Sequence, residues 1–116
     1  MVESSKFLPD WRRGIVAKII EENIGGMHFT NAVKVEMVFS YQRPASHFGT
    51  GRNAGVIKRS APFWKKTRPD LSKLVRAVED AMVDSGLLHD DGQIAILEAR
   101  KSYDRPHGVK VTVWDV

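Results

Sequence analysis

The chain has 116 residues, of which 42% are hydrophobic and 28% are charged, and its formal net charge is +4. These values are typical of one globular domain, here spanning residues 1–116, and they exclude collagen-like and fully disordered chains. The chain contains no cysteine, which excludes a disulfide framework, a cysteine-zinc site and a thiol nucleophile. Residues 1–6 lack a signal-peptide pattern and no apolar run approaches the ~18 residues of a membrane span, so we expect a cytoplasmic protein without a membrane partner.

The first part of the chain predicts a helix followed by a strand. Apolar residues repeat at helical spacing from Asp10 to Asn23, and Gly25 and Gly26 then provide a stop signal. From Asn31 to Tyr41 apolar and polar residues alternate, which is typical of a half-buried strand.

A basic segment, residues 43–69, follows the predicted strand. Between Glu36 and Asp70 there is no acidic residue, and the segment holds seven basic residues, whereas the rest of the chain has eleven basic and fourteen acidic ones. Concentrated positive charge attracts polyanions, and aromatic residues interspersed with it suit nucleic acid, although a solvated flexible loop would have the same composition. We predict an irregular, functional loop. Its basic residues are Arg43, Arg52, Lys58, Arg59, Lys65, Lys66 and Arg68.

The second part of the chain predicts a helix and two strands. The helix starts at Asp70 or Leu71, after Pro69, carries an apolar stripe on one face and ends at about Ser85, before the stop signal Gly86. Residues 87–92 form a turn with an acidic tip. A strand over Gln93–Lys101, with Ile94 and Ile96 on the face opposite to Ala95, Leu97 and Ala99, is predicted next, and a turn and a last strand over Val109–Trp114 follow. This order of elements predicts an α+β fold in which two helices pack on a small mixed β-sheet.

Acidic residues occur at two points that suit a metal site. Asp70 directly follows the basic segment, and Asp90 and Asp91 lie in the turn before the next strand. Carboxylates are the ligands that Mg²⁺ prefers, and Mg²⁺ assists chemistry on phosphodiesters, so the two points could converge if the helix and strand are neighbours. Alternatively, Asp70 is only an N-cap and the Asp90-Asp91 pair only a turn. Glu79 is expected to be solvated.

Two segments resemble the signatures of RusA-type Holliday-junction resolvases. Residues 68–81, Arg-Pro-Asp-Leu-Ser-Lys-Leu-Val-Arg-Ala-Val-Glu-Asp-Ala, are similar to a basic-Pro pair followed by Asp-Leu-Asp-Asn-Leu and an apolar helix. Residues 88–94, Leu-His-Asp-Asp-Gly-Gln-Ile, are similar to the second signature, Asp-Asp-x-Gln-Val. The resemblance implies a RusA-like homodimer that nicks four-way DNA junctions with Mg²⁺, for which Mn²⁺ could substitute, in bacteria or in the host cytoplasm of a phage.

The resemblance also implies roles for particular residues. Asp70 and Asp91 would be catalytic and hold the metal, with Asp90 as an additional ligand. Arg76 stands where the family has a lysine, and it would stabilise the charged phosphate rather than donate a proton. No small-molecule cofactor is implied. The DNA contacts would come from Arg52, Lys58, Arg59, Lys65, Lys66, Arg68 and Lys73.

Two positions depart from the first signature. Ser72 replaces the family's second aspartate and cannot supply its negative charge, and Lys73 replaces the following asparagine. Both substitutions weaken the implied metal site, so a non-catalytic branched-DNA-binding protein is the alternative, and a basic protein that binds RNA or a protein partner is a third. Phe63 and Trp64 could wedge into a DNA branch point, or one of them could pack in the core.

Overall fold

The computed structural model describes residues 28–105 and 107–116, together with Gly14. These residues form one α-helix, a three-stranded sheet and three short 3-10 helices. The predicted first helix, Asp10–Asn23, lies outside the described residues apart from Gly14. None of the helices in the described ranges is long and apolar enough to cross a membrane.

The central strand, β1, spans Val33–Tyr41 and strictly alternates buried and half-buried residues. This burial follows from the two-residue period of a strand, which directs every second side chain to the same face. The apolar face forms the core, and the opposite face carries Lys34 and Glu36. The buried residues of β1 are Val33, Val35, Met37, Phe39 and Tyr41.

The helix α1 spans Leu71–Asp84 and packs its apolar stripe against the buried face of β1. Its 14 residues correspond to a length of about 21 Å. Gly86 follows the helix with a φ of +83°, a conformation that favours glycine, as the predicted stop signal requires. The buried residues of α1 are Leu74, Ala77, Val78, Ala81 and Met82.

The strand β2, Ile94–Tyr103, pairs in parallel with β1, and β3, Gly108–Asp115, pairs antiparallel with the other side of β1. The sheet is therefore mixed, as predicted, and its strand order is β2-β1-β3. Parallel neighbouring strands need a crossover connection, and α1 lies in the connection from the end of β1 to the beginning of β2. The start of α1 lies near Lys101, whose ammonium group donates a hydrogen bond to the carbonyl of Pro69.

A bulge changes which residues of β2 face the helix. Val33 pairs with Ile94 but Lys34 pairs with Ile96, so Ala95 is an extra residue. The simple alternation of the sequence places Ile94 and Ile96 on the same face, and this is wrong: Ile94 packs on the core, whereas Ile96 is exposed. One inserted residue reverses the alternation on one side of a bulge.

The basic segment between β1 and α1 has more local structure than the predicted irregular loop. It contains the 3-10 helices Ala45–His47 and Gly51–Asn53. Its chain folds back on itself, because the Lys58 N–H donates a hydrogen bond to the His47 carbonyl at 2.8 Å. Gly49 is required at this turn, since a Cβ there would lie 2.7 Å from the Cβ of Asn53.

Candidate functional site

Asp70 occupies the N-cap position of α1, but its side chain makes no capping hydrogen bond. Its Oδ2 instead lies 3.8 Å from Nζ of Lys73, and both side chains are about half exposed. The carboxylate is therefore not used for the purely structural N-cap role that the sequence allows.

The backbone before Asp70 is fixed by a side chain from the sheet. Nζ of Lys101 donates hydrogen bonds to the carbonyl oxygens of Thr67, at 2.7 Å, and Pro69, at 2.9 Å. These bonds anchor the end of the basic segment to β2, so that Asp70 enters α1 at a defined place. No pattern in the sequence distinguishes Lys101 from an ordinary strand lysine, so this role of Lys101 was not predicted.

Asp90 caps the third 3-10 helix, Asp91–Gln93. Its Oδ1 accepts a hydrogen bond from the Gly92 N–H at 3.2 Å, and this bond, together with the Asp91 side chain, holds the pKa of Asp90 below its ordinary value. Oε1 of Gln93 in turn accepts a hydrogen bond from the Asp90 N–H at 3.1 Å, which completes a capping box. The carboxylate of Asp90 thus stabilises the turn.

Gln93 also connects this turn to the chain before β1. Its Nε2 donates hydrogen bonds to the carbonyl oxygens of Phe29, at 2.9 Å, and Asn31, at 3.0 Å. With its Oε1 accepting from the N–H groups of His89 and Asp90, one side chain joins two segments that are distant in sequence. The second motif is therefore a locked structural unit.

Glu79 on α1 is the neighbour of two predicted site residues. Its side chain is partly buried, and burial followed by the negative charge of Asp91 raises its pKa, whereas the positive charge of Arg76 opposes this rise. Arg76 and Asp91 therefore lie within electrostatic range of the same carboxyl group. Glu79 is therefore half-buried rather than solvated as expected. The one signal in the sequence was its position three residues after Arg76, a spacing that brings two side chains together on a helix.

Asp70 and Asp91 are not at the same point along α1. Glu79, beside which Asp91 lies, is nine residues from Asp70, a rise of about 13 Å along the helix. Asp91 also precedes the beginning of β2, whereas Asp70 follows the segment fixed to Lys101 near the end of β2. In residues 28–105 and 107–116, no three His, Cys, Asp or Glu side chains gather as a metal-binding group. Carboxylates suit Mg²⁺ chemically, and one or two of them can hold the ion when water and phosphate oxygens supply the other ligands.

The predicted DNA-contact residues differ in how they are held. Lys65 is partly buried, with Nζ lying 4.9 Å from the ring centre of Tyr41 and donating a hydrogen bond to Oγ1 of Thr67. Arg43, a residue of the basic segment outside that predicted set, is likewise packed, since its guanidinium carbon lies 4.6 Å from the ring centre of Tyr103. These two cations anchor the basic segment. The exposed cations are Arg52, Lys58, Arg59, Lys66, Arg68 and Lys73.

Comparison with known proteins agrees with the resemblance of the two motifs. The sequence profile of the family described as Endodeoxyribonuclease RusA matches residues 4–114. A crossover junction endodeoxyribonuclease, rusA of Lactococcus phage r1t, is 36% identical to this chain over 53 residues. That similarity covers 46% of this chain and 40% of the phage protein.

Proposed function

The chain belongs to the RusA family of endodeoxyribonucleases, and from this premise we propose that it is a divalent-metal-dependent enzyme, acting as one domain, that nicks four-way DNA junctions. The observation that carries the proposal is the position of Asp70, which follows an acid-free cationic segment and has a carboxylate that caps nothing. In this proposal the carboxylate of Asp70 is an oxygen ligand beside the bound phosphate.

Asp70 and Asp91 are the proposed metal ligands, with Asp90 beside them. Their oxygen atoms suit Mg²⁺, with Mn²⁺ as a substitute. A bound ion of this kind polarises the phosphoryl oxygen and stabilises the leaving oxygen. Because Asp90 already caps its turn, it contributes to the site mainly by holding Asp91 in place.

We place each metal site between two subunits of a homodimer. Asp70 and Asp91 lie at different points along α1, so Asp70 of one subunit would meet Asp91 of the other. Ile96 and Leu97 are exposed apolar side chains on opposite faces of β2, which lies at the edge of the described sheet, and they support a subunit contact along this edge. A two-fold dimer would present two equivalent sites to a junction that is itself close to two-fold symmetric.

Arg76 stabilises the scissile phosphate in this proposal. Its side chain is exposed and lies within electrostatic range of Glu79, which Asp91 also approaches. Arginine keeps its proton at any accessible pH and presents a planar fork to phosphate oxygens, so it stabilises charge in the transition state rather than donating a proton.

The exposed cations of the basic segment bind the phosphate backbone. Their number predicts that affinity falls steeply with salt concentration, since each neutralised phosphate releases counterions. Lys65 and Arg43 act differently, because they hold the segment on the tyrosine rings of β1 and β2.

A non-catalytic protein that binds branched DNA is the second candidate. The observation that favours it is the first motif itself, where Ser72 supplies no charge and Lys73 forms an ion pair with Asp70. In that case the ammonium group of Lys73 would occupy the place of a metal.

Nicking of a synthetic four-way junction separates the two candidates. The purified protein is incubated with labelled junction in Mg²⁺ or Mn²⁺, beside Asp70→Asn, Asp91→Asn and the control Asp115→Asn, which alters an exposed acid at the end of β3. We expect symmetric nicks from the wild type and the control, and a loss of about 100-fold or more in both site variants, which still bind the junction. Selective junction binding without any nicking by the wild type would establish the second candidate.

A further inference from the structure

Two aromatic rings of the basic segment are exposed to solvent. Phe63 is 74% exposed and Trp64 is 52% exposed, so neither is a core residue and the core-packing alternative is wrong. Their ring centres are 5.1 Å apart with an interplanar angle of 81°, so that they support each other edge to face. Adjacent exposed rings of this size are costly to leave in water and indicate a binding surface.

The backbone on both sides of Phe63 is held in place. Nη1 of Arg43 donates a hydrogen bond to the carbonyl of Pro62 at 2.8 Å, and Arg43 itself lies over the ring of Tyr103. Trp64 forms an antiparallel bridge with Ser102 of β2. The two rings therefore project from a base that is fixed to the sheet, and binding would require little further ordering.

The charges around the rings identify the chemical class of the ligand. Lys65 and Lys66 follow directly, Arg59 precedes by four residues, and the whole stretch from 37 to 69 contains no acid. An aromatic surface within a cationic segment suits a ligand that carries both flat apolar rings and negative charge. A nucleobase in a DNA strand has both, and each base stacked on an aromatic side chain contributes about 1–3 kcal/mol.

We propose that Phe63 and Trp64 stack on unstacked bases at the branch point of four-way DNA and so make the protein prefer branched over linear DNA. In a continuous duplex each base is covered by its neighbours and offers only its edges in the grooves, whereas a branch point leaves the last base pair of an arm open to another ring. This inference rests on the proposed function, since it assigns a role in substrate recognition to residues outside the cleavage site.

Binding measurements in EDTA test the role of the rings without any cleavage. The dissociation constants of a four-way junction and of a linear duplex are compared for Phe63→Ala, Trp64→Ala, Trp64→Phe and the control Trp114→Ala. Trp114 is a suitable control because it is also exposed but lies on β3. We expect each alanine variant in the basic segment to bind the junction about tenfold more weakly and the duplex within about twofold of the wild type.

The two other variants sharpen this result. Trp64→Phe should stay closer to the wild type than Trp64→Ala, because it keeps a ring, and Trp114→Ala should bind both DNAs as the wild type does. Equal losses on junction and duplex, or no loss on either, would overturn the inference. So would a loss that follows dissociation of the protein in sedimentation experiments, since the rings would then contact a second copy of the chain.

Photocrosslinking of the wild-type protein gives a second measurement that needs no variant to fold. A junction with 5-iododeoxyuridine at the branch point should crosslink to the tryptic peptide 60–65, which contains both rings, and the same base placed in the middle of an arm should not. A crosslink to another peptide would contradict the inference. Junction binding that depends on the rings in a wild type that never nicks would overturn the proposed cleavage function but leave this inference intact.

Discussion

The two ends of α1 hold their acidic residues in different ways. At the beginning of the helix, Lys101 fixes the backbone before Asp70 by hydrogen bonds to two carbonyl groups. The carboxylate of Asp70 is about half exposed, and the ammonium group of Lys73 lies beside it. Beyond the end of the helix, the carboxylate of Asp90 is itself a structural group, because it caps a turn that Gln93 locks to the chain before β1.

This difference indicates a division of roles between the two motifs. Where the backbone is fixed by other residues, the carboxylate remains available for a ligand, and its replacement should affect activity without affecting stability. Where the polar side chain is itself the support, its replacement should unfold the turn. Substitutions of adjacent residues in one motif can therefore have different effects, one on activity and the other on the stability of the fold.

Mixing two inactive variants should restore activity, and this is the largest effect that we expect. If each site combines Asp70 of one subunit with Asp91 of the other, a heterodimer of Asp70→Asn and Asp91→Asn retains one intact site. Random exchange then gives about one quarter of the wild-type sites. Junction nicking after co-refolding of equal amounts measures this recovery.

Each variant refolded alone is the control for this experiment and should stay inactive. A mixture as inactive as its components, with exchange of subunits confirmed by native mass spectrometry, would place both aspartates in sites within one subunit.

Substituting Gln93 should destabilise the protein more than any change at Asp70. Gln93→Ala removes two hydrogen bonds to the carbonyls before β1 and two to the turn, and we expect a loss of about 2 kcal/mol in the free energy of unfolding. Urea unfolding of the variant, of Asp70→Asn and of Gln42→Ala, which alters an exposed glutamine after β1, measures this contrast. Equal stability of all three would show that the turn does not depend on this side chain.

Replacing Lys73 should make the metal easier to bind. The ammonium group 3.8 Å from Asp70 competes with a cation, and an exposed ion pair of this kind contributes about 0.2–1 kcal/mol. Lys73→Gln should therefore lower the Mn²⁺ concentration needed for half-maximal nicking by about threefold. Lys66→Gln removes an equal charge from the basic segment, and an equal decrease in that variant would assign the effect to general electrostatics.

The sequence predicts the elements better than their contacts. The alternation in β1, the apolar stripe of α1 and the stop signal at Gly86 each follow from local periodicity or backbone conformation, and the structure agrees with them. The bulge at Ala95 was not predictable in the same way, because its neighbours on either side are all compatible with a regular strand.

The site shows the same limit. The resemblance to family motifs predicts Asp70, Asp91 and Arg76 as site residues, but the position of Asp91 relative to α1 depends on how the turn after the helix folds back. Lys101 carries no local signal, since its hydrogen bonds go to a segment more than thirty residues away in sequence. Gln93 belongs to the second signature and to a local capping box, but its bonds to Phe29 and Asn31 link segments that no local pattern connects. Tertiary contacts of single polar side chains cannot be inferred from periodicity.

The smallest effect that we expect concerns the pH dependence of stability at Glu79. Burial and the nearby charge of Asp91 raise its pKa above the ordinary value of 4.5, so the folded protein binds this proton more tightly than the unfolded chain does. The free energy of unfolding should consequently fall as the pH rises from about 4.5 through the pKa of the folded state, because the unfolded chain releases the proton first.

Glu79→Gln removes this titration, and its stability relative to the wild type should increase over the same range by at most about 0.5 kcal/mol, since solvent screens a partly exposed group. Urea unfolding at several values between pH 4 and pH 7 measures the difference. A relative stability of the variant that decreases with pH would mean that the attraction of Arg76 outweighs burial and the repulsion from Asp91 together, so that the pKa of Glu79 is lowered on folding.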